Sequence, residues 1–415
     1  MARLKKTMLA AAAVFSLVSC GQASPDIELS AVNVYENSGD SQSEEESSSA
    51  PESVSVPEKS ENVSVKVDVQ RTFDSMNLKE KICQMIIATP ESLANYYSFT
   101  YMDDWFKECY KNYPVGGFVY FSGNISYSDQ LRQLLADTQE LAQGEGAGVF
   151  QAVDEEGGSL TRVSSALGIY PTDDMSSYGS LNDTWETYTA GATIGGYLAD
   201  YGFNVDFAPV ADVDLNPYNE LGSRIFSSDP TVVSDMTSAF VRGLNSKEVC
   251  STLKHFPGLG AGGGNTHYGS VYIDRTYDQL KLAEFPAFKG GIDAGADFVM
   301  VGHQMIFAAE EIDGKELPAD LSPTVVTDWL RGELGFDGLV ITDSHSMDSI
   351  TGYYDSGEAA AMAVEAGCDI ILMPYNLEDA VEGLISAVNS GRIGFDRIDE
   401  SVLKILQKKF DMGIL

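Results

Sequence analysis

Eight short apolar segments, most of them separated by amphipathic stretches, follow one another after about residue 66. They cover residues 82–88, 117–121, 148–153, 204–209, 249–254, 298–301, 338–342 and 370–373. Nearly continuous apolar segments are typical of parallel strands whose two faces are both covered by helices. Eight such units predict an α/β fold, a single (β/α)8 barrel over residues 67–415, with a doubly wound open sheet as the alternative.

Two helices have clear end signals. Ser322 followed by Pro323 predicts a helix N-terminus, and Gly335 predicts the end of that helix. Asp396 predicts the start of the last helix, which should continue through Lys409.

The N-terminal part reads as an export signal and a tether. Residues 1–19 combine early basic residues with a short apolar run, and small residues precede Cys20. This order resembles a bacterial lipoprotein processing site, with lipid on Cys20; the alternative is an ordinary signal peptide. Residues 20–66 are rich in Ser and Glu and predict a disordered tether. We therefore expect an extracytoplasmic protein, anchored by lipid to the bacterial cell membrane.

The net charge and the cysteine spacing argue against a nucleic-acid partner, a metal site and a structural disulfide. A net charge of −36 argues against nucleic acid. Cys83, Cys109, Cys250 and Cys368 match no metal-binding spacing, and we expect no structural disulfide among them. Cys83, Cys250 and Cys368 lie in apolar contexts typical of core residues. The four histidines also lack metal-binding spacing, so neither a metal nor another cofactor is expected.

Charged side chains follow the predicted strands, at the end where barrel active sites form. They are Asp154 and Arg162 after strand three, Asp206, Asp212 and Arg224 around and after strand four, Lys254 and His255 at strand five, His303 at strand six, and Asp343 and His345 at strand seven. For Asp206, Asp212, His303 and His345, a role in stabilising loops is as plausible as contact with substrate.

The segment after strand five contains five glycines between residues 258 and 264, followed by Asn265 and His267. It predicts a mobile flap that carries a histidine, with a glycine-rich surface turn as the alternative. Asp, Arg, Lys and His together suit a ligand with many hydroxyl groups. An Asp can attack an anomeric carbon, and a histidine on a flap can supply and remove the proton.

Four ordered motifs resemble glycoside hydrolase family 3, most closely its bacterial β-N-acetylglucosaminidase branch. The motifs are Val-Asp-x-Glu-Gly-Gly with Arg162, Lys-His-Phe-Pro-Gly-x-Gly with His267, the segment 330–343 ending in Thr-Asp, and the segment 397–402. The resemblance covers about residue 73 to the C-terminus. It implies that Asp343 is the nucleophile and His267 the acid/base. It also implies that the terminal sugar is bound by Asp154, Arg162, Arg224, Lys254 and His255.

Two positions depart from the family pattern. Asn265 stands where the family has an Asp that pairs with the flap histidine, and Leu259 stands where many relatives have His. An amide oxygen can accept the imidazole N–H, but it supplies no charge to stabilise imidazolium. The proton-transfer step is therefore the one that these departures affect most.

The expected function is a retaining exo-β-N-acetylglucosaminidase. It would act as a monomer on N-acetylglucosamine-containing glycan, namely peptidoglycan or muropeptide fragments, through a covalent glycosyl-Asp intermediate. The alternatives are a β-N-acetylglucosaminide phosphorylase and a weakly catalytic sugar-binding lipoprotein.

Overall fold

The computed structural model describes residues 68–309, 311–312 and 315–415, with side chains left out for residues 310–315. Eight parallel strands close into a barrel in which each strand pairs with the next and the last pairs with the first. In chain order they are β1 Ile86–Ala88, β2 Gly117–Tyr120, β3 Phe150–Val153, β4 Val205–Asp206, β5 Cys250–Phe256, β6 Phe298–Val301, β7 Leu339–Ser344 and β8 Ile370–Leu372. The predicted (β/α)8 barrel is confirmed.

Helices cover the outside of the barrel. They are α1 Leu78–Gln84, α2 Pro90–Ala94, α3 Asp104–Asn112, α4 Ser128–Gly144, α5 Val163–Leu167, α6 Met175–Leu181, α7 Thr184–Tyr201, α8 Pro230–Asn245, α9 Tyr277–Leu282, α10 Glu284–Asp293, α11 Thr324–Glu333, α12 Asp348–Thr351, α13 Ser356–Ala366, α14 Leu377–Asn389 and α15 Phe395–Asp411. Because helices and barrel interior bury both faces of each strand, the strands are apolar almost throughout.

The two helices with end signals form close to their predicted limits. Ser322 Oγ accepts a hydrogen bond from the Val325 N–H at 3.1 Å, at the start of α11. Gly335, two residues beyond α11, has a φ of 68°, which favours glycine. Helix α11 has π-type hydrogen bonding, which the end signals did not predict. Helix α15 extends the predicted range slightly at both ends.

The first predicted strand was too long. Residues 82–84 belong to the end of α1, and only residues 86–88 form β1. Asn77 and Glu80 begin α1 with reciprocal side-chain to main-chain hydrogen bonds. Ile82 and Cys83 are buried because they lie on the packed face of this helix. A short apolar segment does not distinguish that face from a buried strand.

The cysteines of the described region are free thiols. Cys83, Cys250 and Cys368 are buried, as predicted for core residues, and Cys109 is partly exposed. No helix within the described ranges is both long and apolar enough to cross a membrane. The signal segment 1–19, Cys20 and the tether 20–66 lie outside the described residues, so these three predictions and the domain limits based on them stay predictions.

Candidate active site

A cavity of about 320 Å³ opens at the carboxyl ends of the strands. Ligand sites in barrel folds form at this end, and cavities of this size hold small molecules. Seven residues predicted from the sequence line it: Asp154, Arg162, Arg224, Lys254, His255, His267 and Asp343. The barrel thus brings together side chains from five separate segments of the chain.

A buried ion-pair cluster forms one wall. Lys254 Nζ donates to Asp154 Oδ1 at 2.8 Å and lies 2.6 Å from Glu156 Oε1. Arg224 donates to both oxygens of Glu156, each at 2.7 Å. Burial alone would raise the pKa of Glu156, but the charges of Lys254 and Arg224 lower it to about 2. Glu156 therefore stays ionised and holds both cations at the cavity.

Arg162 is positioned by the carboxylate of Glu155. The main-chain N–H groups of Arg162, Val163 and Ser164 donate to Glu155 at 2.6, 2.8 and 2.9 Å. Tyr197 donates its hydroxyl to the same carboxylate at 2.8 Å. Arg162 Nε is buried without a protein partner among the described residues. A buried guanidinium donor without a partner at a cavity is available to a ligand oxygen.

His255 is oriented by Asp212, which is buried behind it. His255 donates its main-chain N–H at 3.0 Å and its ring Nδ1 at 2.9 Å to Asp212 Oδ2. The Leu259 N–H donates to the other oxygen at 2.5 Å. Asp212 thus fixes the ring tautomer, leaving Nε2 as the ring nitrogen available to a ligand, and ties strand β5 to the start of the flap.

Asp343 is the next-to-last residue of β7 and lines the cavity. Burial favours a raised pKa for its carboxyl, but the neighbouring His303 and His255, the Ser344 N–H and Lys254 together lower the pKa below its usual value. The Ser344 N–H donates to Asp343 Oδ1 at 2.7 Å. An ionised, cavity-facing carboxylate at this position can act as a nucleophile.

Two histidines share a buried carboxylate behind Asp343. His303 donates from Nδ1 to Asp320 at 3.0 Å and from Nε2 to the Ser344 carbonyl at 2.9 Å. His345 Nε2 donates to the other oxygen of Asp320 at 2.8 Å. Although burial opposes it, the charge of Asp320 raises the pKa of His303 to about 9. His303 is therefore a cation at neutral pH that holds the main chain next to Asp343.

The glycine-rich flap (residues 257–271) is packed at its base. A Cβ on Gly260 would lie 2.1 Å from the Val213 carbonyl oxygen, and Gly258 has a φ of 139°. The N–H groups of Leu215 and Asn216 donate to the Gly260 carbonyl at 3.1 and 3.0 Å. We expected glycines that loosen the segment; instead, Gly260 permits a close backbone approach and Gly258 permits a positive φ.

The tip of the flap is tied to a carboxylate that the sequence did not point to. The N–H and the hydroxyl of Thr266 donate to Glu220 Oε1 at 2.9 and 3.0 Å, and both residues line the cavity. His267 follows directly and lines the cavity with an exposed side chain. Asn265 Oδ1 accepts from the main-chain N–H of His267 at 2.9 Å. The amide oxygen that we expected at the imidazole ring thus binds the main chain instead.

Asp206, Asp212, His303 and His345 support the cavity from behind. Asp206 accepts the Glu155 N–H at 3.0 Å, and burial raises the pKa of its carboxyl well above the usual value. The candidate residues predicted from the sequence did not include Glu155, Glu156, Glu220 or Asp320. Of these, Glu155 and Glu156 had a sequence signal, since both lie within the Val-Asp-x-Glu-Gly-Gly motif.

Comparison with known proteins agrees with this architecture. The model of the glycosyl hydrolase family 3 N-terminal domain matches residues 77–408. A beta-hexosaminidase from Stenotrophomonas maltophilia is 32% identical over 306 residues, which cover 68% of this chain and 86% of that protein. Beta-hexosaminidase A from Pseudoalteromonas piscicida is 30% identical over 325 residues, which cover 73% of this chain. The matched region is 54% of that protein, so this chain spans about half of its length.

A solved structure with the same fold is also similar in sequence. The family 3 beta-N-acetylglucosaminidase from Paenibacillus sp. str. FPU-7 aligns with a TM-score of 0.76 at 33% identity. The alignment covers 82% of this chain and 63% of that one. Since the family model matches most of the chain and the four predicted motifs lie within the matched region, the chain belongs to glycoside hydrolase family 3.

Proposed function

We propose that this protein is an exo-acting β-N-acetylglucosaminidase that cleaves with retention of configuration. The observation that carries the proposal is Asp343, an ionised carboxylate facing a cavity lined by Lys254, His255, Arg162 and Arg224. These polar and charged side chains suit the hydroxyl and carbonyl oxygens of a sugar. Relatives named beta-hexosaminidase support an N-acetylhexosaminide as the substrate.

In the first step, Asp343 attacks the anomeric carbon and forms a glycosyl ester. The bond from that carbon to the leaving oxygen breaks, and His267 donates a proton to this oxygen. In the second step, a water attacks the anomeric carbon and gives its proton to His267, and the ester bond to Asp343 breaks. Two inversions at the same carbon give net retention.

His267 is the best candidate for the proton donor because the carboxylates that line the cavity, apart from Asp343, already accept hydrogen bonds from protein groups. Asp154 accepts from Lys254 and Glu220 accepts from Thr266. An imidazole ring can both give and take a proton, as a group with this role must.

Phosphorolysis is the second candidate, because Asn265 lacks the charge that would repel phosphate from the flap. Glu220 argues against it. Its carboxylate binds Thr266, next to His267, and so places a negative charge at the region where phosphate would have to enter. We therefore favour water as the acceptor. The third candidate, a weakly catalytic sugar-binding lipoprotein, would share the binding cluster but lack turnover.

We further propose that the protein works outside the cytoplasm as a monomer, held at the membrane by lipid on Cys20, and acts on peptidoglycan or muropeptide fragments. The export-like segment and the small residues before Cys20 support the location. N-acetylglucosamine-containing glycan at the bacterial surface would then be within reach of the tethered barrel.

The test is turnover of a chromogenic β-N-acetylglucosaminide, with and without phosphate. We expect free N-acetylglucosamine, released first as the β-anomer and at a rate independent of phosphate. Asp343→Asn should abolish turnover but still bind N-acetylglucosamine, because the amide keeps the shape and loses the nucleophile. A sugar phosphate as product would establish phosphorolysis instead. Tight binding without turnover in the wild type would favour the binding protein.

A further inference from the structure

Exposed aromatic side chains are concentrated at one end of the barrel. All but one of the strongly exposed Tyr, Trp and Phe residues among the described residues lie between a strand's carboxyl end and the first turn of the helix that leads to the next strand. They are Tyr97, Tyr101, Trp105, Tyr127, Tyr170, Trp185, Tyr218, Tyr268, Tyr272, Phe307, Tyr353 and Tyr375. The exception is Phe395, at the start of α15. Exposed apolar surface concentrated beside a cavity is typical of a binding surface.

Four of these aromatic residues lie on the flap, directly follow it or are joined to it, and are here called the aromatic ledge: Tyr268, Tyr272, Phe307 and Tyr353. The Tyr272 and Phe307 rings stack with centroids 5.8 Å apart. The pairing of Tyr272–Ile273 with Met305–Ile306 brings these two rings together. Ser270 Oγ, on the flap, donates to the Tyr353 hydroxyl at 3.1 Å. Tyr268 directly follows His267, so the ledge begins at the proposed proton donor.

The position of the ledge relative to His267 indicates what it binds. If the terminal sugar fills the cavity, the oxygen of the cleaved glycosidic bond must face His267, which gives it a proton. The leaving part of the substrate must therefore lie past His267, on the flap side. This reasoning rests on the proposed function, in which His267 protonates the leaving oxygen.

We propose that the aromatic ledge binds one or two further sugar residues on the leaving-group side. A sugar ring presents an apolar C–H face and a polar edge, and tyrosine matches it with an apolar ring and a hydroxyl. The ledge thus makes the protein selective for glycan chains over N-acetylglucosamine linked to a small group.

A membrane surface is the other occupant to consider, since Tyr and Trp also favour lipid interfaces. The charge of −36 disfavours it, because the inner and outer surfaces of bacterial membranes carry anionic lipid that repels an acidic protein. Tyr268 also directly follows His267, which lines the cavity, and this further favours a saccharide.

The test compares Tyr272→Ala and Phe307→Ala with Phe395→Ala, an exposed aromatic outside the ledge. Each is assayed on a β-1,4-linked N-acetylglucosamine trisaccharide and on a chromogenic N-acetylglucosaminide with a small leaving group. For the ledge variants we expect kcat/KM on the trisaccharide to fall roughly ten-fold, mainly through KM. Activity on the small substrate should change less than two-fold, and the control variant should resemble the wild type on both.

Equal losses on both substrates would show that the ledge is structural, and unchanged trisaccharide kinetics would show that it binds nothing there. If the wild type turns over neither substrate, the proposed function fails, and calorimetry separates this failure from that of the ledge. The ledge then predicts that Tyr272→Ala weakens binding of the trisaccharide and leaves binding of N-acetylglucosamine unchanged. Binding of full-length Cys20→Ser protein to phosphatidylglycerol vesicles tests the lipid alternative. If Tyr272→Ala removes this binding but does not change activity on, or binding of, the trisaccharide, the ledge is a lipid-binding surface and the proposal is wrong.

Discussion

Glu156 offers the sharpest test of how the cavity wall is held together. It is buried and binds two cations, Lys254 at 2.6 Å and Arg224 through two bonds of 2.7 Å. Glu156→Gln keeps the shape of the side chain but removes its charge. Lys254 would then keep only Asp154, and Arg224 would lose its ionic partner in this cluster.

The size of the effect follows from the pKa of Glu156. The two cations lower it from 4.5 to about 2 despite burial, which corresponds to about 3 kcal/mol in favour of the ionised form in the folded state. Breaking a buried ion pair by removing one partner costs a similar amount, about 3–5 kcal/mol. We therefore expect Glu156→Gln to lower the free energy of unfolding at pH 7 by about 3 kcal/mol.

The pH dependence follows from the same values. Because the folded-state pKa lies below the unfolded value, the stabilisation by Glu156 is fully present above about pH 4.5. It is lost as the pH falls towards about 2. The difference in stability between the wild type and Glu156→Gln should therefore shrink over this window.

Urea unfolding at pH 7 and at two acidic pH values measures both effects. Glu358→Gln is the matched control, because it removes a carboxylate that binds Arg392 through two hydrogen bonds at the surface. Surface pairs contribute about 0–1 kcal/mol, so the control should change little. If Glu156→Gln is no more destabilising than the control, or if its effect is the same at pH 3 and pH 7, the ion-pair reasoning is wrong.

Three further predictions concern the flap, the base of the barrel and the anchor. Asn265→Asp keeps the hydrogen bond to the main-chain N–H of His267 and adds a negative charge two residues before the proposed proton donor. Hydrolysis of substrates with poor leaving groups should rise roughly ten-fold, with activated aryl substrates unchanged. Buried Lys409, which donates to Gln84 at 2.7 Å, has its pKa lowered by burial to about 7. Between pH 7 and 9.5 the unfolded chain holds this proton and the folded chain does not. In urea unfolding, the free energy of unfolding of the wild type should therefore rise by about 3 kcal/mol over this range relative to that of Lys409→Met. If the two proteins change in parallel with pH, this prediction is wrong. Cys20→Ser should abolish lipidation and move the protein from the membrane fraction to the soluble fraction, or leave it unprocessed, as membrane fractionation and mass spectrometry would show.

The fold could be predicted because each barrel strand is a short apolar segment between amphipathic helices. The weakest point was the segment 82–88, where helix and strand are both apolar because both are buried. The remaining strands were placed within a few residues, since glycines and polar residues mark their ends.

The cavity-facing residues could be predicted because parallel strands bring their carboxyl ends together. The residues that hold these side chains in place could not be predicted, because their hydrogen bonds join segments that are far apart in the sequence. Glu220 binds Thr266, 46 residues away, and Asp320 lies in a turn 19 residues after the end of β6 at Val301. Asn265 shows a further limit, since the sequence placed it near His267 but did not indicate which hydrogen of that residue it accepts.

Covalent trapping with an activated fluoro-sugar analogue of N-acetylglucosamine would identify the residue that attacks the anomeric carbon. Such a compound forms the glycosyl ester quickly and releases it slowly, so the intermediate accumulates. We predict that one sugar residue is added per chain and that peptide mass spectrometry locates it on Asp343, with no labelling of Asp343→Asn. Label on another residue, or turnover by the wild type with no trapped ester, would contradict the assignment of Asp343 as the nucleophile.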